Sequence, residues 1–172
     1  IECVGYTHEF YHVDTNAVMA DALFIRDIGD GGCKQDKAER DIRLLKRSID
    51  EGKHLSRSHF YLANTYKDIG QHKEAIKSYD YVLENQKWDE EKFVSCLNMG
   101  KCYIALGEDD RAITIWLNGY AFCPTRVETL YEVIRYYRDT SNHELCLLFY
   151  NQAKTIPCPK DKILFIDREI YT

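Results

Sequence analysis

Hydrophobic and small residues recur at a fixed spacing through the middle of the chain. One series consists of a large–small pair, an aromatic residue, a glycine, an alanine and a second aromatic residue. It occurs twice, 37 residues apart, and a third, weaker copy follows after a further 34 residues. The copies are Leu62-Ala63, Tyr66, Gly70, Ala75 and Tyr79; Met99-Gly100, Tyr103, Gly107, Ala112 and Trp116; and Val133-Ile134, Tyr137, Ser141, Cys146 and Tyr150.

This spacing predicts pairs of antiparallel helices. Small residues allow two helices to approach closely, the aromatic residues fill the space between neighbouring pairs, and the glycines permit a tight turn. The pattern of the second helix also appears 37 residues before the first copy. It predicts a half-repeat, which is a second helix without its first, and this helix ends at Gly52. The predicted helices form one right-handed superhelix, because each pair leaves an apolar face that only its neighbour covers. Their ranges are 36–50, 55–69, 72–85, 91–105, 109–121, 126–139 and 143–155.

The copies resemble tetratricopeptide repeats, which are 34-residue helix-turn-helix units with this order of large, small and aromatic positions and a closing proline. Pro124 stands at the closing position of the second copy. The alternative, a set of unrelated amphipathic helices, does not account for so many coincident positions in three copies. The predicted fold class is therefore mainly α: a tetratricopeptide-type superhelix of about three repeats with an N-terminal half-repeat helix.

Residues 1–34 do not follow the helical period. Val4, Tyr6 and the run from Phe10 to Val13 predict an extended strand, and Ala22 to Ile25 a second short one. So little strand does not fold alone. We therefore expect 1–34 to be the C-terminal tail of an upstream α/β domain, 35–156 the repeat array, and 157–172 an extension that begins a further segment.

Composition narrows the function classes. The chain is 45% hydrophobic and 30% charged with a net charge of −5, which is typical of a folded domain and gives no basic footprint for a nucleic acid. No apolar run reaches the roughly 20 residues of a membrane span. Seven cysteines without a Cys-x-x-Cys motif indicate free thiols in a reducing, cytoplasmic compartment, and neither they nor the six histidines have zinc-site spacing.

A second resemblance covers nearly the whole chain. A series of short motifs occurs in the order found in the C-terminal half of family 2 glycosyltransferases that carry tetratricopeptide repeats. The motifs are Thr7-His8-Glu9-Phe10, Gly29-Asp30-Gly31-Gly32, Lys37-x2-Arg40-Asp41-x2-Leu44-Leu45, the repeats, and Leu164-Phe165-Ile166-Asp167 with Tyr171. The resemblance implies an upstream GT-A domain, a nucleotide-sugar donor and a divalent metal, Mn or Mg, in the parent enzyme. No Asp-x-Asp motif precedes the repeats, so we expect no cofactor and no catalytic residue in this part of the chain.

His8 is the one candidate metal ligand, and it is implied only by that resemblance. In such enzymes a histidine near the end of the catalytic domain can complete the metal's coordination, with Glu9 or Asp30 near the acceptor. The alternative is a histidine at a strand end, satisfied by local hydrogen bonds. Both interpretations of His8 stay open.

The candidate binding site is the concave groove, which the first helix of each pair lines in tetratricopeptide arrays. The residues predicted to face it are aromatic, polar and basic: Phe60, Asn64, Lys67, Leu97, Asn98, Lys101, Tyr131, Arg135 and Arg138. A clamp for a C-terminal carboxylate is disfavoured, because Glu128 and Glu132 occupy two of its basic positions and would repel a carboxylate.

Three functions follow from these patterns. The favoured one is the arm of a glycosyltransferase that binds a protein or glycan acceptor for sugar transfer by the upstream domain. The alternative is a stand-alone scaffold that binds an extended peptide in the groove. An independent enzyme has almost no support, because no nucleophile, base and orienting group can be assembled from these residues.

Overall fold

A computed structural model describes residues 2–4, 7, 10–12, 37–160 and 164–171 of the 172-residue chain. Seven α-helices occupy the described part, and each begins and ends within two residues of its prediction. They are α1 (Lys37–Asp50), α2 (Leu55–Asp68), α3 (His72–Asn85), α4 (Asp89–Ala105), α5 (Asp109–Phe122), α6 (Glu128–Asp139) and α7 (His143–Ala153), with a 3-10 helix at Arg168–Tyr171.

Consecutive helices pack against each other along the whole series, as a tetratricopeptide-type superhelix requires. In addition, α2 contacts α4 and α4 contacts α6, so the first helices of the three pairs form an inner layer. The half-repeat prediction is confirmed, because α1 packs on α2 and buries Leu45, which is 2% exposed. Each pair thereby covers the apolar face of its neighbour.

The turns inside the pairs repeat the same backbone geometry. Gly70 and Gly107 have φ angles of 76° and 74°, in the left-handed region that favours glycine. Ser141 takes the equivalent position in the third copy with a φ of 60°. The positions that the sequence aligns are thus structurally equivalent, although only two of the three carry the residue that the conformation prefers.

Small residues set the distance between paired helices. Ala63, Ala75 and Ala112 have no exposed surface. A Cβ atom on Gly100 would lie 2.1 Å from Nε1 of Trp116, so α4 and α5 can pack this closely only with glycine there. The indole also donates a hydrogen bond from Nε1 to the carbonyl oxygen of Leu97, at 3.1 Å, which holds it against its own pair.

The N-terminal residues that the structure describes form two three-residue strands, β1 (Glu2–Val4) and β2 (Phe10–His12). They pair antiparallel, with Glu2 opposite His12, so the single extended strand expected from Val4 to Val13 is instead a pair. The strand predicted at 22–25 lies outside the described residues. These strands do not show an upstream α/β domain, and the proposed boundary at residue 34 stays a prediction.

Candidate functional site

The concave face is built from α2, α4 and α6, and side chains from all three line a groove of about 840 Å³. Its lining combines apolar side chains, such as Phe60 and Leu97, with polar ones, such as Asn98 and Lys101. A space of this size and mixed lining is in the range of ligand-binding clefts, which span about 300–1,000 Å³.

Asparagines connect the inner helices. Asn64 on α2 accepts hydrogen bonds from the Tyr79 hydroxyl at 2.6 Å and from Asn98 Nδ2 at 3.1 Å. Tyr79 is fully buried, and burial raises the pKa of its hydroxyl, so the phenol stays protonated and acts as the donor. These bonds join α3, α2 and α4 and fix the spacing of the groove walls.

A buried carboxylate pairs with the basic residues of the groove. Glu132 on α6 is 5% exposed and lies 3.3 Å from Nζ of Lys101 and 2.8 Å from Nη2 of Arg135. The sequence predicts Lys101 and Arg135 as basic groove residues, and Glu132 only as a group that would repel a bound carboxylate. The structure shows that this wall is a charge network rather than a free basic stripe.

A second buried pair stands at the start of α6. Arg126 is 1% exposed, and its Nη2 lies 2.5 Å from the Glu128 carboxylate, with Nε at 3.1 Å. The guanidinium carbon lies 4.5 Å from the centre of the Phe93 ring on α4. Arg126 is thus held rigidly by an anion and an aromatic face, which suits it to orient a ligand.

The chain's own C-terminal segment, Leu164–Tyr171, lies along one side of this groove and forms part of its lining. The main-chain nitrogen of Leu164 donates to Glu90 at 3.0 Å, and Arg126 Nη2 donates to the main-chain oxygen of Phe165 at 2.7 Å. Asp167, Glu169 and Ile170 complete the lining on this side. Glu90 on α4 and Arg126 just before α6 therefore bind the main chain of two residues that precede the 3-10 helix.

The structure brings together six of the nine predicted groove residues and places the other three elsewhere. Lining the groove are Phe60, Leu97, Asn98, Lys101, Tyr131 and Arg135. Asn64 lies behind the lining in the asparagine network, whereas Lys67 and Arg138 form ion pairs with their neighbours Asp68 and Asp139 at 3.1 and 2.9 Å.

Sequence reasoning missed Glu90, Arg126 and Tyr171. The spacing of Glu132 and Arg135, three residues apart on one helix, could have revealed their pairing. No comparable signal exists for Arg126 and Phe165, which are 39 residues apart in the chain. Their contact depends on the path of the segment after α7.

His8, the candidate metal ligand, lies outside the described residues, as do Glu9 and Asp30. Among the residues that the structure describes, no group of three or more His, Cys, Asp or Glu side chains is arranged to hold a metal ion. Within the same residues, no helix is long and apolar enough to cross a membrane.

Comparison with known proteins supports the repeat fold. Residues 56–86 match the tetratricopeptide repeat family. The solved structure "MamA MSR-1 C2" is 21% identical with a TM-score of 0.57, covering 69% of this chain and 67% of that one. "MamA AMB-1 P212121" is 19% identical with a TM-score of 0.57, covering 78% and 69%. At these identities the likeness concerns the fold alone.

The search of curated proteins found no match. Neither the matching family nor the structures named above point to a glycosyltransferase, so these comparisons do not support that part of the resemblance. They support the coarser interpretation, a helical-repeat scaffold of the kind that binds proteins.

Proposed function

We propose that this chain is a protein-interaction module that binds an extended peptide along the groove formed by α2, α4 and α6. The observation that carries the proposal is the pair of bonds to Leu164 and Phe165. A carboxylate from α4 accepts from one main-chain amide, and a guanidinium from before α6 donates to the next main-chain carbonyl. Such contacts suit any extended peptide, because every non-proline residue offers these two groups.

The groove walls support the same function. Their polar side chains are fixed by bonds among themselves, such as Asn98 to Asn64 and Lys101 to Glu132. A preformed surface loses little conformational entropy on binding, which favours affinity for a flexible peptide. The exposed ring of Tyr131, 39% accessible, adds an aromatic contact of the type that dominates binding energy at interfaces.

The proposal keeps the expected reducing compartment, with which five unpaired cysteines in the described part of the chain are compatible. The narrower function implied by the glycosyltransferase resemblance, in which the bound segment belongs to a protein or glycan acceptor, has no support from the comparisons. The peptide-binding proposal does not depend on an upstream catalytic domain.

The test uses peptides selected from a random library on the full 172-residue chain. Selected peptides should bind the wild type, and Tyr131→Ala should weaken them on the order of tenfold, the effect of losing one aromatic anchor. Tyr150→Ala is the matched control, because Tyr150 is 52% exposed and lies outside the groove lining. Equal affinities of the Tyr131→Ala and wild-type chains would place the peptide site elsewhere.

A further inference from the structure

The hydroxyl of Tyr171 is held at the start of α6 by one hydrogen-bond donor and one hydrogen-bond acceptor. It accepts a hydrogen bond from the main-chain nitrogen of Val127 at 3.1 Å and donates one to the Glu128 carboxylate at 3.0 Å. Burial and the neighbouring Glu128 charge raise the pKa of the phenol, so it stays protonated and can donate. Phenylalanine offers neither bond, so this subsite distinguishes tyrosine by its hydroxyl.

One nitrogen of the Arg126 guanidinium donates no hydrogen bond to the segment. Its Nε and Nη2 bind Glu128 and the Phe165 carbonyl, but Nη1 has no hydrogen-bond partner among the described residues. The side chain is 1% exposed and lines the groove. An unpaired buried donor is costly, so an occupant that brings a further acceptor to Nη1 has an advantage over the present one.

The charged side chains of the groove are balanced within the array. Lys101 and Arg135 pair with Glu132, and Arg126 pairs with Glu128. Glu90, which accepts a hydrogen bond from the Leu164 main chain, adds a third carboxylate to these three cations. The hydroxyl and main-chain contacts, rather than net charge, therefore distinguish the occupant.

We propose that the side of the groove formed by Arg126, Val127 and Glu128 recognises a peptide that carries a tyrosine, and that Leu164–Tyr171 is its resident occupant, which a partner must displace. The inference rests on the proposed function. The recognised peptide presents a main-chain carbonyl to Arg126 and, six residues later, a tyrosine to Val127 and Glu128. This spacing is the one between Phe165 and Tyr171 in the resident segment. A partner can bind only while the resident segment is detached. The apparent affinity for the partner is therefore the intrinsic affinity multiplied by the fraction of time that the segment is detached.

The experiment measures fluorescence anisotropy of a labelled synthetic peptide with the sequence of residues 159–172, titrated with the full chain. In the Tyr171→Phe chain the resident segment loses its bond to a carboxylate, so the peptide should bind on the order of tenfold more tightly than to wild type. Tyr150→Phe, a tyrosine outside the groove lining, should match the wild type. Amide exchange at Val127 should also be faster in the Tyr171→Phe chain, because that amide loses its partner.

One altered peptide tests the recognition itself on the Tyr171→Phe chain. A peptide with phenylalanine in place of tyrosine should bind on the order of tenfold more weakly.

The outcomes separate the inference from the proposed function. Equal affinity of the native peptide for the wild-type and Tyr171→Phe chains would overturn the resident occupant. Equal binding of the tyrosine and phenylalanine peptides would overturn the recognition of tyrosine. If the native peptide binds neither chain, the whole inference is wrong. The peptide-binding function would still stand on the library peptides and Tyr131→Ala.

Discussion

At the scale of single residues, one aromatic side chain fixes the distance between two helices. Trp116 is 1% exposed and fills the space that Gly100 leaves empty on α4. Its indole nitrogen is also satisfied, by the Leu97 carbonyl. The ring therefore contributes both packing and a buried hydrogen bond, and its removal leaves a cavity that two rigid helices close only in part.

We predict that Trp116→Ala lowers the free energy of unfolding by about 3–5 kcal/mol, the usual cost of truncating a buried large aromatic residue. Trp88→Ala serves as the comparison. Trp88 is only partly buried and precedes α4, so it should cost clearly less. Urea unfolding followed by far-UV circular dichroism measures both. An unchanged midpoint for Trp116→Ala would show that the repeat alignment, which places this residue in the core, is wrong.

At the scale of helices, the groove depends on polar contacts between elements as much as on apolar packing. Asn64 is the common acceptor for Tyr79 on α3 and Asn98 on α4. One side-chain oxygen thus links three helices. Its loss leaves two donors unpaired at once, whereas loss of either donor leaves the oxygen with its other bond.

We predict that Asn64→Ala destabilises the chain by about 1–3 kcal/mol, the cost of leaving a buried polar group without its partner. Tyr79→Phe should cost less, because Asn98 still donates to Asn64 and no donor is left unpaired. Urea midpoints of the two variants provide the comparison. If Tyr79→Phe lowers the free energy of unfolding as much as Asn64→Ala does, the Tyr79 hydroxyl rather than the shared Asn64 acceptor stabilises the contact between the helices.

The helices could be predicted from the sequence because their determinants are local. Gly70 and Gly107, 37 residues apart, indicate the turns directly, and the apolar period sets the helix bounds. The groove was less predictable. Lys101 and Arg135 were assigned to it, but Glu132, which pairs with both, was considered only as a repelling charge, since a sequence position does not show which charges meet.

The C-terminal segment could not have been predicted from the sequence. Leu164 meets Glu90 across 74 residues of chain, and no periodic pattern connects them. The resemblance to glycosyltransferases directed attention to the N-terminal residues and His8, whereas the described contacts of the groove involve the opposite end of the chain. Function in a repeat protein follows from which segment lies on the inner helices, and this depends on tertiary structure.

At the scale of the whole molecule, stability should vary along the array, because each helix is supported only by its neighbours. α4 contacts helices on four sides, namely α2, α3, α5 and α6. α7 packs on α6 and has no buried residue of its own, with Leu147 and Leu148 more than half exposed. Opening α7 therefore exposes little additional apolar surface.

We predict that amide hydrogen exchange, followed by mass spectrometry on the full chain, is fastest in α7 and slowest in α4 and α5. Helices with few buried contacts open locally at low free energy, whereas the central helices exchange only in large openings. A low concentration of urea should narrow the difference, since it speeds the large openings of α4 and α5 more than local openings of α7, which expose little surface. Leu147→Ala is the control and should leave α4 and α5 unchanged, because its side chain is 58% exposed. Uniform protection from α2 to α7 would contradict the gradient and show that the array opens as one cooperative unit. Release of the groove segment and opening of the last helix pair would then not be separate events.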